Sequence, residues 1–306
     1  IPTYNRAHSI KYTLDSFLQQ NYPEDKFEII VCDNNSTDNV KEVVLDYVEK
    51  YSEKKVRYMF EGRQGVHYAR NSAAKTARGD ILYFTDDDML AEPDLLKNLI
   101  PIFERNNKIG CATGKVLPKW ETHPPKWISR FCINYLLSLN DLGSRTIIGA
   151  YDMGVFSCHE AIRRETFFET GGFHPEYTRD VYLGDGETGL NQDILRNKWK
   201  MAYVGKSVIY HMIPPKRMTQ KHINKVMANA GIAISYGEYR KKSFDKKSLF
   251  YRYEGYFKAY LKDCKDIIVK TLLGESTLRF VVAKWHYYKA RAVYDYHIVY
   301  DKRFRR

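Results

Sequence analysis

Apolar residues recur at helical spacing over His8–Gln20, where Ile10, Leu14, Phe17 and Leu18 share one side. A short apolar run follows, FEIIVC at Phe27–Cys32, which predicts a strand. Val40–Tyr51 is again helical, with Val40, Val43, Val44, Tyr47 and Val48 on one face, and Val56–Phe60 reads as a strand. Val66–Ala77 predicts a helix ended by Gly79-Asp80, and Ile81–Thr85, ILYFT, a strand. Pro93–Glu104 predicts a helix with Pro93 in its first turn, and Ile109–Lys115 a further strand. Strands alternating with helices predict an α/β domain with a mostly parallel sheet covered by helices on both faces. Ile1 would then close a first strand that is mostly cut off.

Such sheets bind ligands beyond the carboxyl ends of their strands. The polar residues there are Thr3-Tyr4-Asn5-Arg6, Asp33-Asn34-Asn35-Ser36, Glu61 to Gly65, and Asp86-Asp87-Asp88, all expected at one edge. The stretch 116–215 is less regular and holds Trp120, Trp127, a Gly171-Gly172-Phe173 turn and a GDGE run at 184–187. From Lys216 onward the pattern is mostly helical, basic and rich in aromatics. These shifts divide the chain into 1–215, with halves 1–115 and 116–215, and a helical extension 216–306.

The chain has 306 residues, 44% hydrophobic and 28% charged, ordinary values for a globular protein. Its net charge of +12 is uneven: residues 241–306 hold 17 Lys/Arg against 7 Asp/Glu, a surplus of 10, so the rest is near neutral. That surplus suits an anionic partner. Five widely spaced cysteines without a CxxC read as free thiols of a reducing, cytoplasmic compartment. No apolar run of ~18 residues predicts a spanning helix, and no signal peptide is visible.

Three carboxylates ending one apolar strand, ILYFTDDDM at 81–89, repel one another unless a cation compensates. Carboxylate oxygens suit Mg²⁺ or Mn²⁺, which also bind diphosphate; the plain alternative is a helix cap beside solvated charges. Asp33, Asn34 and Asn35 can accept from a base and contact a ribose, or simply form an Asx turn. Arg63 and Arg70 can pair with phosphate or with the Asp cluster. Trp120, Trp127 and Tyr151 are candidates for sugar stacking or for packing.

Together PTYNR at 2–6, DNNSTDN at 33–39, GVHYARNSAAKTARGDILYFTDDD at 65–88 and GGF at 171–173 resemble the family 2 glycosyltransferases, over roughly residues 1–220. The resemblance implies an inverting enzyme of the GT-A fold that moves a sugar from a nucleotide-diphosphate donor, a UDP-sugar foremost, with Mn²⁺ or Mg²⁺. The DxD signature falls on Asp86 and Asp88, with Asp87 between them. By resemblance Asp88 holds the metal and Asp86 lies at the ribose or the metal shell, while Pro2, Thr3, Asn5, Arg6 and Asp33 line the nucleoside pocket. The general base aligns with Glu187, although Gly186 stands where an acid is usual, which keeps Asp185 as a second candidate. His211, after the strand-like VIY at 208–210, becomes a third metal ligand or a diphosphate contact; Lys216 and Arg217 can reach phosphate.

The implied acceptor is a growing surface glycan or a lipid-linked precursor, in cell-envelope polysaccharide synthesis. The mixed apolar and basic segments at 257–262 and 267–273 fit either an anionic membrane surface, on the inner face of the membrane, or a helical cap with a solvated basic face. Nucleic-acid binding does not suit the carboxylate cluster. Two further readings remain: a nucleotidyltransferase making nucleotide sugars, which would need a Gly-rich basic loop where PTYNR stands, and a non-catalytic anion- or membrane-binding relative.

Overall fold

The computed structural model describes residues 1–52, 55–174, 176–178, 181–183, 186–242 and 245–301. The first half runs β1 (Pro2–Thr3), α1 (Ala7–Leu18), β2 (Ile29–Asp33), α2 (Val40–Tyr51), β3 (Val56–Phe60), α3 (Val66–Thr76), β4 (Ile81–Thr85), β5 (Met89–Ala91), α4 (Leu95–Leu99), α5 (Pro101–Arg105) and β6 (Ile109–Trp120). There follow α6 (Lys126–Phe131), β7 (Thr146–Gly149), β8 (His159–Arg163), α7 (Arg164–Glu169), β9 (Glu176–Thr178), β10 (Val181–Leu183), α8 (Gly186–Arg196) and β11 (Lys200–Ile213). Three long helices end the chain: α9 (Gln220–Lys241), α10 (Lys246–Leu272) and α11 (Arg279–Tyr300).

The helix expected over 93–104 is two helices, because Pro101 has no N–H to donate into the preceding turn. The three-stranded sheet β1-β2-β3 is parallel, and β6 and β11 also run the same way, Lys200 N donating to Lys108 O at 2.8 Å near one end and Glu121 N to Ile213 O at 3.2 Å near the other. The larger sheet runs β4-β8-β6-β11-β5, with β7 also on β11, and pairs β4–β8, β6–β8, β11–β5 and β11–β7 antiparallel. The sequence pattern undercounts these strands: Met89–Ala91 is too short to show a period, and β11 is fourteen residues long where only 208–210 reads as a strand. A cavity of about 430 Å³ is lined by both Ile29–Ile30 of β2 and Ile81–Thr85 of β4. Its wall includes Ile1, whose amine donates to Ile30 O at 2.8 Å.

The chain forms two compact units. The first comprises 1–119, 138–175 and 186–212; the second comprises 120–137, 176–185 and 213–306. The first is built around an apolar core in which Leu82 and Phe84 of β4 meet Ile162, Phe167, Phe173, Leu190 and Ile194. In the second, α11 packs against both α9 and α10. Gly231 lets α9 approach α11 closely, since a Cβ there would meet the Tyr287 carbonyl at 2.5 Å. α10 starts at a capping box, where Asp245 accepts from Ser248 N and Ser248 Oγ accepts from Asp245 N.

Candidate active site

The carboxyl ends of β1 to β4 are tied together by hydrogen bonds. Asn34 N donates to Thr3 O at 2.8 Å, and Glu61 N donates to Asp33 O at 2.9 Å. The Asn34 carboxamide donates to the carbonyls of Glu61 and Arg63 and accepts from Gly65 N at 2.7 Å. Asn5, in the left-handed region at φ 52°, accepts at Oδ1 from Thr37 N at 2.7 Å and Asp38 N at 3.3 Å. Asn5 and Asn34 therefore brace the rim of the site with the same groups that the sequence offers to a nucleotide.

Beyond β4 the three carboxylates part. Asp86 meets Arg70 at 2.5 Å, the shortest charged contact of the cluster. Asp87 turns inward and accepts from Thr3 Oγ1 at 2.8 Å; burial first, then the neighbouring Asp88, pushes its carboxyl up to about 7. Asp88, 3% exposed, faces Arg6 at 3.5 Å and His211 Nε2 at 3.7 Å. β11 presents His211 opposite Met89 in the β5–β11 ladder, which is why residues so distant in sequence meet.

Asp33 is buried, accepting from Ser36 N at Oδ1 and from the Tyr58 hydroxyl at Oδ2, both at 2.9 Å. Pro2 is buried within β1, whereas Asn35 is exposed with φ 68°. Arg63 grips Glu61 with two nitrogens, at 2.9 and 2.8 Å, and lies over the Tyr68 ring. This grip holds the Glu61 carboxyl down at about 2. Arg63 is thus committed to its own loop, while Arg70 is committed to Asp86.

Glu187 lies in the first turn of α8 and accepts from Ser157 Oγ at 3.3 Å. It is near enough to Arg70, Cys158 and Glu160 to perturb all three electrostatically, and Cys158 also senses Asp86 and Asp88. The expected base and the Asp cluster therefore act on the same neighbours, Arg70 and Cys158. Asp185, the second candidate, lies outside the described residues.

Several site residues are invisible to motif reading. Glu160 of β8 is fully buried, accepts only a weak contact from Cys111 Sγ at 3.7 Å, and leaves Oε2 without a partner. Burial first, then the charge of Glu187, pushes its carboxyl up to about 8. Its only sequence signal is one acid inside an apolar strand. Tyr4, 47% exposed directly after β1, is an aromatic left facing solvent at the rim. Asn71 explains two motifs at once: its carboxamide donates to Phe173 O at 2.7 Å and accepts from Phe173 N at 3.1 Å. Gly172 has φ +73°, and a Cβ on it would meet both Asn71 and Phe167 at 2.9 Å. Of the candidate stacking aromatics Tyr151 is exposed, while Trp127, in the second unit, lies under Arg279.

A βαβ start, strand ends braced into one rim, and an acidic cluster beyond β4 define a GT-A type nucleotide-sugar fold. A family model, "Glycosyl transferase family 2", matches residues 1–172, and the chain belongs to that family. It is 33% identical, over 109 residues, to a dolichyl N-acetyl-alpha-D-glucosaminyl phosphate 3-beta-D-2,3-diacetamido-2,3-dideoxy-beta-D-glucuronosyltransferase of Methanococcus voltae; the match covers 35% of this chain and 34% of that protein. It is 29% identical to the poly(ribitol-phosphate) beta-N-acetylglucosaminyltransferase TarS of Staphylococcus aureus, over 50% of this chain and 28% of that one. The chain thus spans about half or less of the length of the curated relatives it matches. Among solved structures it is similar to the mannosyltransferase PcManGT of Pyrobaculum calidifontis, in complex with GDP-Man and Mn²⁺, at TM-score 0.57 and 19% identity, over 98% of this chain and 86% of that chain. That likeness is one of fold.

Proposed function

We propose that the protein is an inverting glycosyltransferase that moves a sugar from a UDP-sugar to a hydroxyl of a glycan or lipid-linked acceptor, with Mn²⁺ or Mg²⁺. One observation carries this reading: Asp88 lies beside His211 and Arg6, Asp86 beside Arg70, and Glu187 acts electrostatically on the same Arg70 and Cys158 as the Asp cluster, so acids outnumber arginines there. Relatives named for sugar transfer to dolichyl phosphates and to poly(ribitol phosphate) support the acceptor class. Work on such acceptors would place the enzyme in the cytoplasm, at the inner face of the membrane.

The donor set fits a divalent cation in part. No group of three His, Cys, Asp or Glu able to hold a metal exists among the described residues. Asp88 and His211 nonetheless offer one oxygen and one imidazole nitrogen from buried positions, a set that suits Mn²⁺ when diphosphate oxygens complete the coordination. When bound, the cation would neutralise charge on the leaving diphosphate.

The chain's own residues do the rest. Arg6 is close enough to Asp88 to turn from it to a phosphate. Arg70 holds Asp86 in place, and Asp87, bonded to Thr3, anchors the turn without facing the donor. Glu187 takes the proton of the acceptor hydroxyl as that oxygen attacks the anomeric carbon from the side opposite the leaving diphosphate. Ser157 orients its carboxylate. Replacing Glu187 by Gln tests the assignment: nucleotide binding persists and transfer is lost. A Glu187→Gln enzyme as active as the parent removes Glu187 from the role.

A further inference from the structure

The outer side of the α10–α11 hairpin carries apolar surface in register. On α10, Phe250, Phe257, Leu261, Ile268 and Leu272 follow one another at steps of seven, four, seven and four residues, so they form one stripe along the helix. Each is exposed, from 47% at Ile268 to 83% at Leu272. At 1.5 Å per residue the stripe is about 33 Å long. Antiparallel to it, α11 exposes Leu278 just before its start, then Val282, Trp285, Val293 and Tyr296, again at helical spacing. Next to the α10 stripe, half-buried Tyr260 meets Trp285 of the α11 row edge to face, ring centroids 5.7 Å apart.

Most of the exposed charge of α10 lies to one side of its stripe, while Lys289 falls within the α11 row between Trp285 and Val293. Lys247, Lys258, Lys262 and Lys265 are exposed and fall on the shoulder of α10 turned away from α11, with exposed Asp266, one turn beyond Lys262, at its border. The acid closest to the stripe, Glu254, is paired with Lys258 at 2.5 Å. Asp263 faces α11, bonded to Tyr288 and Lys284 at 3.0 Å each. No described helix is long and apolar enough to cross a membrane. A helix with an apolar stripe, a lysine shoulder and this length suits lying in the plane of an interface, with Trp and Tyr at headgroup depth.

We infer that the α10–α11 hairpin docks on an anionic lipid surface, with both apolar stripes inserted among the headgroups and the lysine row on lipid phosphates. A second copy of the chain fits less well, because antiparallel pairing through the α10 stripe sets one lysine row against its twin. The inference deepens the membrane side of the proposed function and does not depend on which sugar is moved.

Flotation of the full chain with phosphatidylcholine vesicles, with and without about 30% phosphatidylglycerol, tests it. The chain partitions onto the anionic vesicles and much less onto neutral ones. The double substitution Phe257→Glu/Leu261→Glu, at exposed positions, lowers partition at least about tenfold with the circular dichroism unchanged. Replacing the four lysines by Gln lowers it about fivefold per lysine. No partition, equal partition on both vesicles, or indifference to Phe257→Glu/Leu261→Glu overturns the inference. So does a dimer in solution that the same substitutions dissolve while vesicle binding is absent. Binding of UDP with Mn²⁺, followed in the same variants, separates the two readings. If it persists when partition is lost, the nucleotide site stands alone; if it is absent while partition holds, the surface stands alone.

Discussion

Two charge clusters among the described residues are built to opposite rules. In the helical unit, Glu238 and Asp295 meet Arg252 and Arg291. Arg252 bonds Asp295 and Glu238 at 2.8 Å each, Arg291 bonds Glu238 at 2.6 Å, and the Tyr256 hydroxyl adds a bond to Asp295 at 2.5 Å. Two acids stand against two arginines. Beyond β4, four acids (Asp86, Asp87, Asp88 and Glu187) stand against Arg6 and Arg70, an excess of two negative charges before the partial protonation of Asp87. A balanced cluster neutralises its own charges within the fold; an unbalanced one keeps a repulsion that a bound cation would relieve. On the proposed reading, the same residue types mark structure in one place and chemistry in the other.

The largest effect that sharpens this contrast is expected from Asp88→Asn. Transfer should fall by two to three orders of magnitude, roughly 3–4 kcal/mol at the transition state, while the melting temperature of the unliganded protein stays level or rises. A marked drop in unliganded stability would put Asp88 with the structural acids. In the helical unit the opposite holds: Arg252→Met strands the fully buried Asp295 and should cost about 3 kcal/mol in urea unfolding, with UDP binding unchanged.

Asn71→Ala should cost about 2 kcal/mol by the same measurement, since it releases both backbone groups of Phe173 and with them the glycine turn. The smallest effect is a pH slope. Glu160 has a folded value near 8 against an ordinary 4.5, so its contribution is complete below 4.5 and lost as pH rises through 8. Glu160→Gln should melt with a shallower decline between pH 5 and 8 than the parent. Parallel declines would show that Glu160 is already ionised in the folded state.

The β4 cluster is legible in the sequence because an apolar strand running into three acids signals itself locally. Helices α1 to α3 and strands β2 to β4 are legible for the same reason: their period lies within a few residues. The duties of Asn5, Asn34 and Asn71 are not, because an amide on a strand end or helix looks the same whether it faces a nucleotide or clamps a distant backbone. His211 is suggested by resemblance alone, and only the β5–β11 ladder brings it to Asp88. The mixed composition of α10 is plain in the sequence, whereas the stripe left uncovered depends on how α11 packs against it.

The most direct test of the central claim is calorimetric titration of the protein with UDP, with and without Mn²⁺, beside Asp88→Ala. The imbalance beyond β4 predicts that UDP binds only with the metal and that Asp88→Ala abolishes the binding. UDP binding of equal strength without metal, or undiminished in Asp88→Ala, would contradict it.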